Sequence, residues 1–132
     1  MANYYWHRFS ASESFTRIQR GENPWVAFGD FLDDWRRTRP EDRAALVEQA
    51  PEKFTTEDEQ RWAALFAATV EFLCKEEQLP VPRWVTSPQF SLQKAWYPEA
   101  RTANLRRLQE ETTPEPFARR NIFSGDRLLQ RV

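Results

Sequence analysis

The sequence predicts an all-α fold, a compact bundle of five to seven helices crossed by one proline-rich extended segment. Three observations support this prediction. Helix-capping patterns recur along the chain, apolar residues repeat every three or four positions, and only three glycines are present among the 132 residues. No stretch alternates as a half-buried strand would. This length corresponds to one domain, so residues 1–132 are predicted to form a single helical domain.

The first two helices are predicted from their starts. Ser10 and Glu13 have the spacing of a capping box, and Gly21 suits the end of the helix that follows. Asn23 followed by Pro24 favours a second helix, since Asn is a good N-cap and Pro is tolerated at the first helical position. That second helix carries a large apolar stripe at helical spacing, made of Trp25, Phe28, Phe31, Leu32 and Trp35.

The middle of the chain repeats the capping pattern twice. Thr38 and Glu41 predict a third helix, which Pro51 ends. Thr56 and Glu59 open the longest predicted helix, whose following residues are apolar on nearly every face. A helix of this kind is expected to be central and buried.

The last third of the chain is more irregular. Three prolines within 79–88 predict an extended segment laid across the bundle. A moderately amphipathic helix is predicted over 98–111, with Leu105 and Leu108 facing inward. Ser124 is expected to cap a final short helix that reaches the C-terminus.

No catalytic residue is predicted. The one histidine, His7, stands among aromatic residues without an orienting partner nearby, as a general base would need. The one cysteine, Cys74, is most simply a small core residue, and it is distant from His7 in sequence. Glycine-rich phosphate loops and G-x-S-x-G motifs do not occur. We therefore expect a protein that is not an enzyme.

No metal or cofactor is predicted either. Asp30, Asp33 and Asp34 form the tightest carboxylate group, and carboxylates can hold divalent metals. A solvated acidic face opposite the aromatic stripe explains the same residues. A single cysteine also excludes a multi-cysteine zinc site and an intramolecular disulfide.

The chain is expected to be soluble and cytoplasmic, with no membrane partner. Its first residues lack the basic start and apolar run of a signal peptide. No stretch approaches the roughly 20 apolar residues of a membrane span. A single cysteine fits a reducing compartment.

Charge is unevenly distributed in a chain whose net charge is only −1. Residues 22–60 carry eleven acidic and five basic side chains, whereas residues 101–132 carry seven arginines and four acidic side chains. The two segments either attract each other within the fold or present their polarity to a partner. Arginine suits recognition of carboxylate or phosphate, so a nucleic-acid-binding module is the alternative function.

The segment 113–123 is the candidate partner-binding site. Its apolar residues are expected to anchor it in the bundle, while its two arginines reach either for the acidic half of the chain or for another protein. The alternative is that the segment is only a C-terminal clasp. The candidate residues are Phe117, Arg119, Arg120, Asn121, Ile122 and Phe123.

Three stretches carry a resemblance to a known group of proteins: IQRGENPWVAFGDFLDDWRR (18–37), LPVPRW (79–84) and PEPFARRNIFSGDRLLQRV (114–132). Together they resemble small bacterial proteins encoded beside a nucleotidyltransferase-fold protein, as in a toxin–antitoxin pair. The resemblance implies a protein-binding, antitoxin-like regulator that restrains such a partner. Some of these proteins carry a helix-turn-helix domain upstream, and too few residues precede Ile18 here for that domain.

Overall fold

A computed structural model describes residues 7–129 of the chain and confirms the all-α class. These residues contain five α-helices, three 3-10 helices and one isolated parallel β-bridge. The chain divides into two compact units, Met1–Lys53 and Phe54–Val132. The assignment of one domain to residues 1–132 stays a prediction, and each unit is described by itself. No helix within residues 7–129 has both the length and the apolar character that a membrane crossing requires.

The first unit begins with helix α1, Ala11–Gln19, and its predicted capping box is confirmed. The amide of Glu13 donates to the hydroxyl of Ser10 at 3.1 Å, and the amide of Ser10 donates to Oε1 of Glu13 at 3.0 Å. Gly21 follows with φ of +99°, a left-handed conformation that glycine adopts at little cost. The sequence therefore located both ends of this helix.

Helix α2, Pro24–Arg37, packs against α1 and buries most of the predicted stripe. Oδ1 of Asn23 accepts hydrogen bonds from the amides of Trp25 and Val26 at 2.9 and 3.3 Å. Four members of the stripe are buried: Phe28, Phe31, Leu32 and Trp35. Trp25, at the start of the helix, is an exposed member.

The third predicted helix is wrong in type and in start, because Pro40–Leu46 forms a 3-10 helix without a side-chain cap. The hydroxyl of Thr38 donates to the carbonyl of Asp34 at 2.7 Å and so closes α2 instead. Nε of Arg43 donates to the carbonyls of Trp35 and Thr38 at 2.8 and 2.9 Å. The predicted capping residue thus serves the end of the preceding helix.

The second unit is organised by helix α3, Glu57–Glu76, which is buried on nearly every face as predicted. The amide of Glu59 donates to the hydroxyl of Thr56 at 3.0 Å, which confirms the N-cap. Several small residues on this helix are fully buried, and they let neighbouring segments approach its axis closely: Ala63, Ala64, Ala67 and Ala68.

The segment that was predicted to be extended is partly helical. It contains a 3-10 helix over Arg83–Thr86, and a second one, Pro88–Phe90, follows directly. Val85 and Phe90 are fully buried, and both 3-10 helices pack against α3. Trp84 and Phe90 meet edge to face, with ring centroids 5.2 Å apart. The segment crosses α3 as compact turns because its prolines exclude α-helix while its large apolar residues are still buried.

The chain then forms helix α4, Ala103–Thr112, and the single turn α5, Glu115–Ala118. The residues after α5 return beside 92–96 in extended pairing. The amide of Trp96 donates to the carbonyl of Asn121 at 2.8 Å. The amide of Phe123 donates to the carbonyl of Trp96, also at 2.8 Å. The predicted final helix is absent over residues 124–129, where the Ser124 hydroxyl only donates to the adjacent Gly125 carbonyl. Val132, predicted to pack within it, lies outside the described residues.

Removing the capping hydroxyl of α1 tests how this helix is held. We expect Ser10→Ala to lower the free energy of unfolding by about 1 kcal/mol, because the amide of Glu13 loses its acceptor. Ser12→Ala, inside the first turn, is the matched control and is expected to have little effect. Urea unfolding of both variants measures the difference, and equal stabilities contradict the capping assignment.

Candidate functional site

Three of the six predicted partner-binding residues are buried in the second unit. Phe117 packs edge to face on Phe72 of α3, with ring centroids 6.1 Å apart. Ile122 is fully buried, and Arg120 is only 2% exposed. A partner therefore has no access to these three side chains in the described conformation.

Arg120 makes a dense set of hydrogen bonds inside the second unit. Its guanidinium donates to the carbonyl of Pro116 at 2.7 Å and to that of Val85 at 2.5 Å. It also forms an ion pair with Oε1 of Glu71, on α3, at 2.8 Å. One side chain thus joins α5, the segment after α3 and α3 itself. A buried arginine needs this many acceptors, since an unpaired charge is expensive away from water.

Glu71 is the centre of the cluster. Its Oε2 pairs with the ammonium of Lys75 at 2.7 Å, and its Oε1 also receives Arg119. Burial alone raises the pKa of this carboxyl, but the hydrogen bonds from Lys75 and Arg120 and the two guanidinium charges outweigh it. The pKa of Glu71 therefore lies below its ordinary value, and the group stays ionised at neutral pH.

The other three predicted residues are more accessible to different degrees. The Arg119 side chain is 44% exposed and also pairs with Oε1 of Glu115 at 3.1 Å. Asn121 has φ of +66° and donates from its amide to the carbonyl of Leu92 at 2.7 Å. Phe123 stacks on Tyr97, with ring centroids 5.4 Å apart. The partner-binding role of the segment stays a prediction, and Arg119 is its most exposed member.

The described ion pairs of Arg119 and Arg120 use acids outside residues 22–60. Their carboxylate partners are Glu71 and Glu115, both within the second unit. These two arginines therefore pair with acids of their own unit, and their ion pairs do not include residues 22–60, the segment to which they were expected to be attracted. The clasp interpretation fits Arg120. The role of its partner Glu71 was not predicted from the sequence. Its signal in the sequence was a lone charge inside the apolar run Ala67–Cys74.

A second surface was predicted wrongly. Leu105 and Leu108, expected to face inward, are 37% and 54% exposed. They lie three residues apart on α4 and so share one helix face. Arg101, just before the helix, and Arg107, beside Leu108, are exposed, and their side chains make no hydrogen bond or ion pair within residues 7–129. We call these four residues the α4 surface.

Helix α4 is held through Gln109 and through its C-terminal turn. Gln109 is its buried residue, and the hydroxyl of Thr113 donates to the Gln109 carbonyl at 2.5 Å while accepting from the amide of Gly125 at 2.8 Å. The guanidinium of Arg106 lies 5.0 Å from the ring centroid of Tyr97. The buried residue of this helix is thus the polar Gln109, and both leucines are exposed.

In the first unit, the predicted acidic face is only partly solvated. Asp30 pairs with Nη1 of Arg17 at 2.9 Å. Asp34 is buried and accepts a hydrogen bond from the amide of Phe9 at 2.7 Å, so its prediction as an exposed residue is wrong. Asp33 is half-buried. Asp30 and Asp34 therefore serve contacts within the unit.

Two further residues carry side chains that could be reactive. His7 is exposed, and its Nε2 lies 3.1 Å from Oε2 of Glu13. Cys74 is buried, and burial raises the pKa of its thiol to about 11, which disfavours the reactive thiolate. Within residues 7–129, no group of three or more histidine, cysteine or carboxylate side chains is arranged to hold a metal ion.

Comparisons with known proteins do not assign this chain to a family. We found no matching protein-family model, no matching curated protein and no matching solved structure. The functional interpretation therefore depends on the geometry of the second unit and on the resemblance described above.

Removing the carboxylate of Glu71 tests the clasp. We expect Glu71→Ala to lower the free energy of unfolding by about 3–5 kcal/mol, because Arg120 is then left buried without its counter-charge. Glu76→Ala removes an exposed carboxylate from the same helix and is expected to change stability by less than about 0.5 kcal/mol. Chemical denaturation measures both, and equal effects of the two substitutions contradict the clasp.

Proposed function

We propose that this chain is a non-enzymatic, protein-binding regulator that acts in the cytoplasm. In this proposal it is the antitoxin-like member of a pair and restrains a nucleotidyltransferase-type toxin encoded beside it. The resemblance of residues 18–37, 79–84 and 114–132 supplies the identity of the partner. The α4 surface is the observation that carries the proposal.

The α4 surface suits a helix-in-groove contact. Leu105 and Leu108 expose apolar area that the second unit leaves uncovered. Exposed leucines at helical spacing are the anchors that such grooves accept. Thr102 caps the helix by accepting the amide of Leu105 at 3.1 Å, so the anchors are presented on a preformed helix. Preorganisation of this kind lowers the entropic cost of binding.

Charge supports a partner with acidic residues around its groove. Arg101 and Arg107 flank the leucines and form no ion pair within the described part of the chain. Nucleotidyltransferase folds hold metal with carboxylates, and an arginine pairs well with such groups. Complementary charge speeds association and selects the partner. From the predicted segment 113–123, Arg119 is the exposed cation that can add to this attraction.

Nucleic acid remains the alternative ligand, favoured by the unpaired guanidinium groups of Arg101 and Arg107. Sequence-tolerant binding of single strands also needs aromatic faces on which bases stack. Tyr97, an aromatic residue in contact with α4, stacks its ring on Phe123 and lies beside the guanidinium of Arg106. Among the described residues of the second unit, the large exposed apolar side chains are those of Leu105 and Leu108. These features favour a protein partner.

Replacing the two exposed leucines of the α4 surface with glutamate tests the proposal. We expect the pair Leu105→Glu and Leu108→Glu to weaken binding to the neighbouring gene's nucleotidyltransferase-fold product at least tenfold, because two apolar anchors are lost. Glutamate preserves helix propensity, so circular dichroism is expected to stay unchanged. Calorimetric titration of purified proteins gives the affinities.

Arg83→Glu, an exposed charge reversal outside α4, is the matched control and is expected to bind nearly as tightly as the original chain. Unchanged affinity of the double leucine variant contradicts the use of the α4 surface. Absence of binding by the original chain contradicts the proposed partner. Binding to RNA or DNA that weakens steeply with salt favours the alternative function instead.

A further inference from the structure

A half-open cavity of about 630 Å³ lies in the second unit, beside the first turns of α3. Its volume falls within the roughly 300–1,000 Å³ typical of small-molecule sites. Residues on both sides of Phe90 and the start of α3 form its walls. Neither the α4 surface nor the Glu71 cluster contributes a residue to these walls.

The lining combines an apolar part with a larger polar part. Phe54 and Leu92 supply the apolar area, and Phe54 is steadied by Phe90 at a ring-centroid distance of 5.7 Å. Ser91 and Gln93 supply polar groups whose side chains make no hydrogen bond within residues 7–129. Such a lining suits a ligand with a flat apolar body and several hydrogen-bonding groups.

The charges of the cavity leave one cation in excess. Glu57 and Arg61 pair with each other at 2.9 Å. Lys94 lines the same cavity, is exposed, and forms no hydrogen bond or ion pair with any described residue. A ligand that places negative charge beside Lys94 therefore gains attraction without breaking an existing contact.

The α3 N-terminus does not supply this attraction. Thr56 already accepts the amide of Glu59 at 3.0 Å. Three carboxylates in the first turn, Glu57, Asp58 and Glu59, offset the positive end of the helix dipole. Lys94, on the segment 88–94, is thus the cation of this cavity that remains available to an anion.

We propose that this cavity binds a small organic anion, with its carboxylate or phosphate beside Lys94 and a planar apolar part against Phe54 and Leu92. The hydroxyl of Ser91 and the amide of Gln93 add hydrogen bonds to its polar groups. This site is independent of the proposed protein-binding function, because neither Leu105 nor Leu108 contributes to it.

Titration with three matched probes tests the site. Amide resonances of ¹⁵N-labelled protein are followed as benzoate, phenyl phosphate or benzamide is added. We expect the two anions to shift resonances of residues around 54–61 and 88–94 and to bind about fivefold more tightly than neutral benzamide, because a charge-assisted hydrogen bond is stronger than a neutral one. The tighter anion identifies carboxylate or phosphate as the preferred group.

Lys94→Gln removes the selecting charge and, as an exposed residue without contacts, is expected to leave the fold unchanged. The variant is expected to lose the about fivefold preference for anions. Arg83→Gln removes one positive charge outside the cavity and is expected to keep it. Equal binding of all three probes, an anion preference retained in Lys94→Gln, or no shifts in this region with any probe overturns the proposal.

Discussion

The carboxylate of Glu71, in the mostly apolar stretch 62–74 of helix α3, brings three basic side chains together. Arg120 is buried with it, Arg119 reaches it from the same turn of chain, and Lys75 approaches its other oxygen from one helical turn away. A buried carboxylate surrounded in this way stays ionised, since three cations offset its loss of hydration. The second unit could not bury either Arg120 or Glu71 without the other.

This cluster explains the position of the C-terminal segment. Arg120 ties α5 to α3 and to Val85, and the residues that follow pair with the extended backbone at Trp96. Phe117 and Ile122 are then buried on either side of the arginine. Three residues of the predicted partner-binding segment, Phe117, Arg120 and Ile122, are therefore buried as an internal clasp. Helix α4 precedes this segment in the chain, and its two leucines are exposed. We therefore propose α4 as the better candidate surface for binding a partner protein.

The sequence predicted those features that depend on local interactions. The Ser10 cap, the Asn23 cap and the burial of α3 follow from hydrogen bonds and apolar spacing within a few residues. Predictions failed where a residue had two competing uses. Thr38 does not cap a third helix because its hydroxyl closes α2, and the buried residue of α4 is Gln109 rather than Leu105 or Leu108.

The candidate sites were harder to predict, because they depend on residues distant in sequence. Forty-eight positions separate Glu71 from Arg119. The arginine pair was recognisable as a motif, but its counter-charge was one glutamate in an apolar helix. The cavity near Lys94 gave no sequence signal, because it arises from the packing of 88–94 beside the start of α3. Only tertiary structure brings such groups together.

The most direct measurement of the central claim is the titration of the Glu71 side-chain carboxyl by carbon-detected NMR. The surrounding cations lower its pKa in the folded protein, so its midpoint is predicted to lie below the ordinary value of 4.5. The stabilisation it provides is then complete above that ordinary value and is lost as pH falls through the lowered pKa. A midpoint at or above 4.5 contradicts the account, since it means that burial outweighs the arginines and lysine around Glu71.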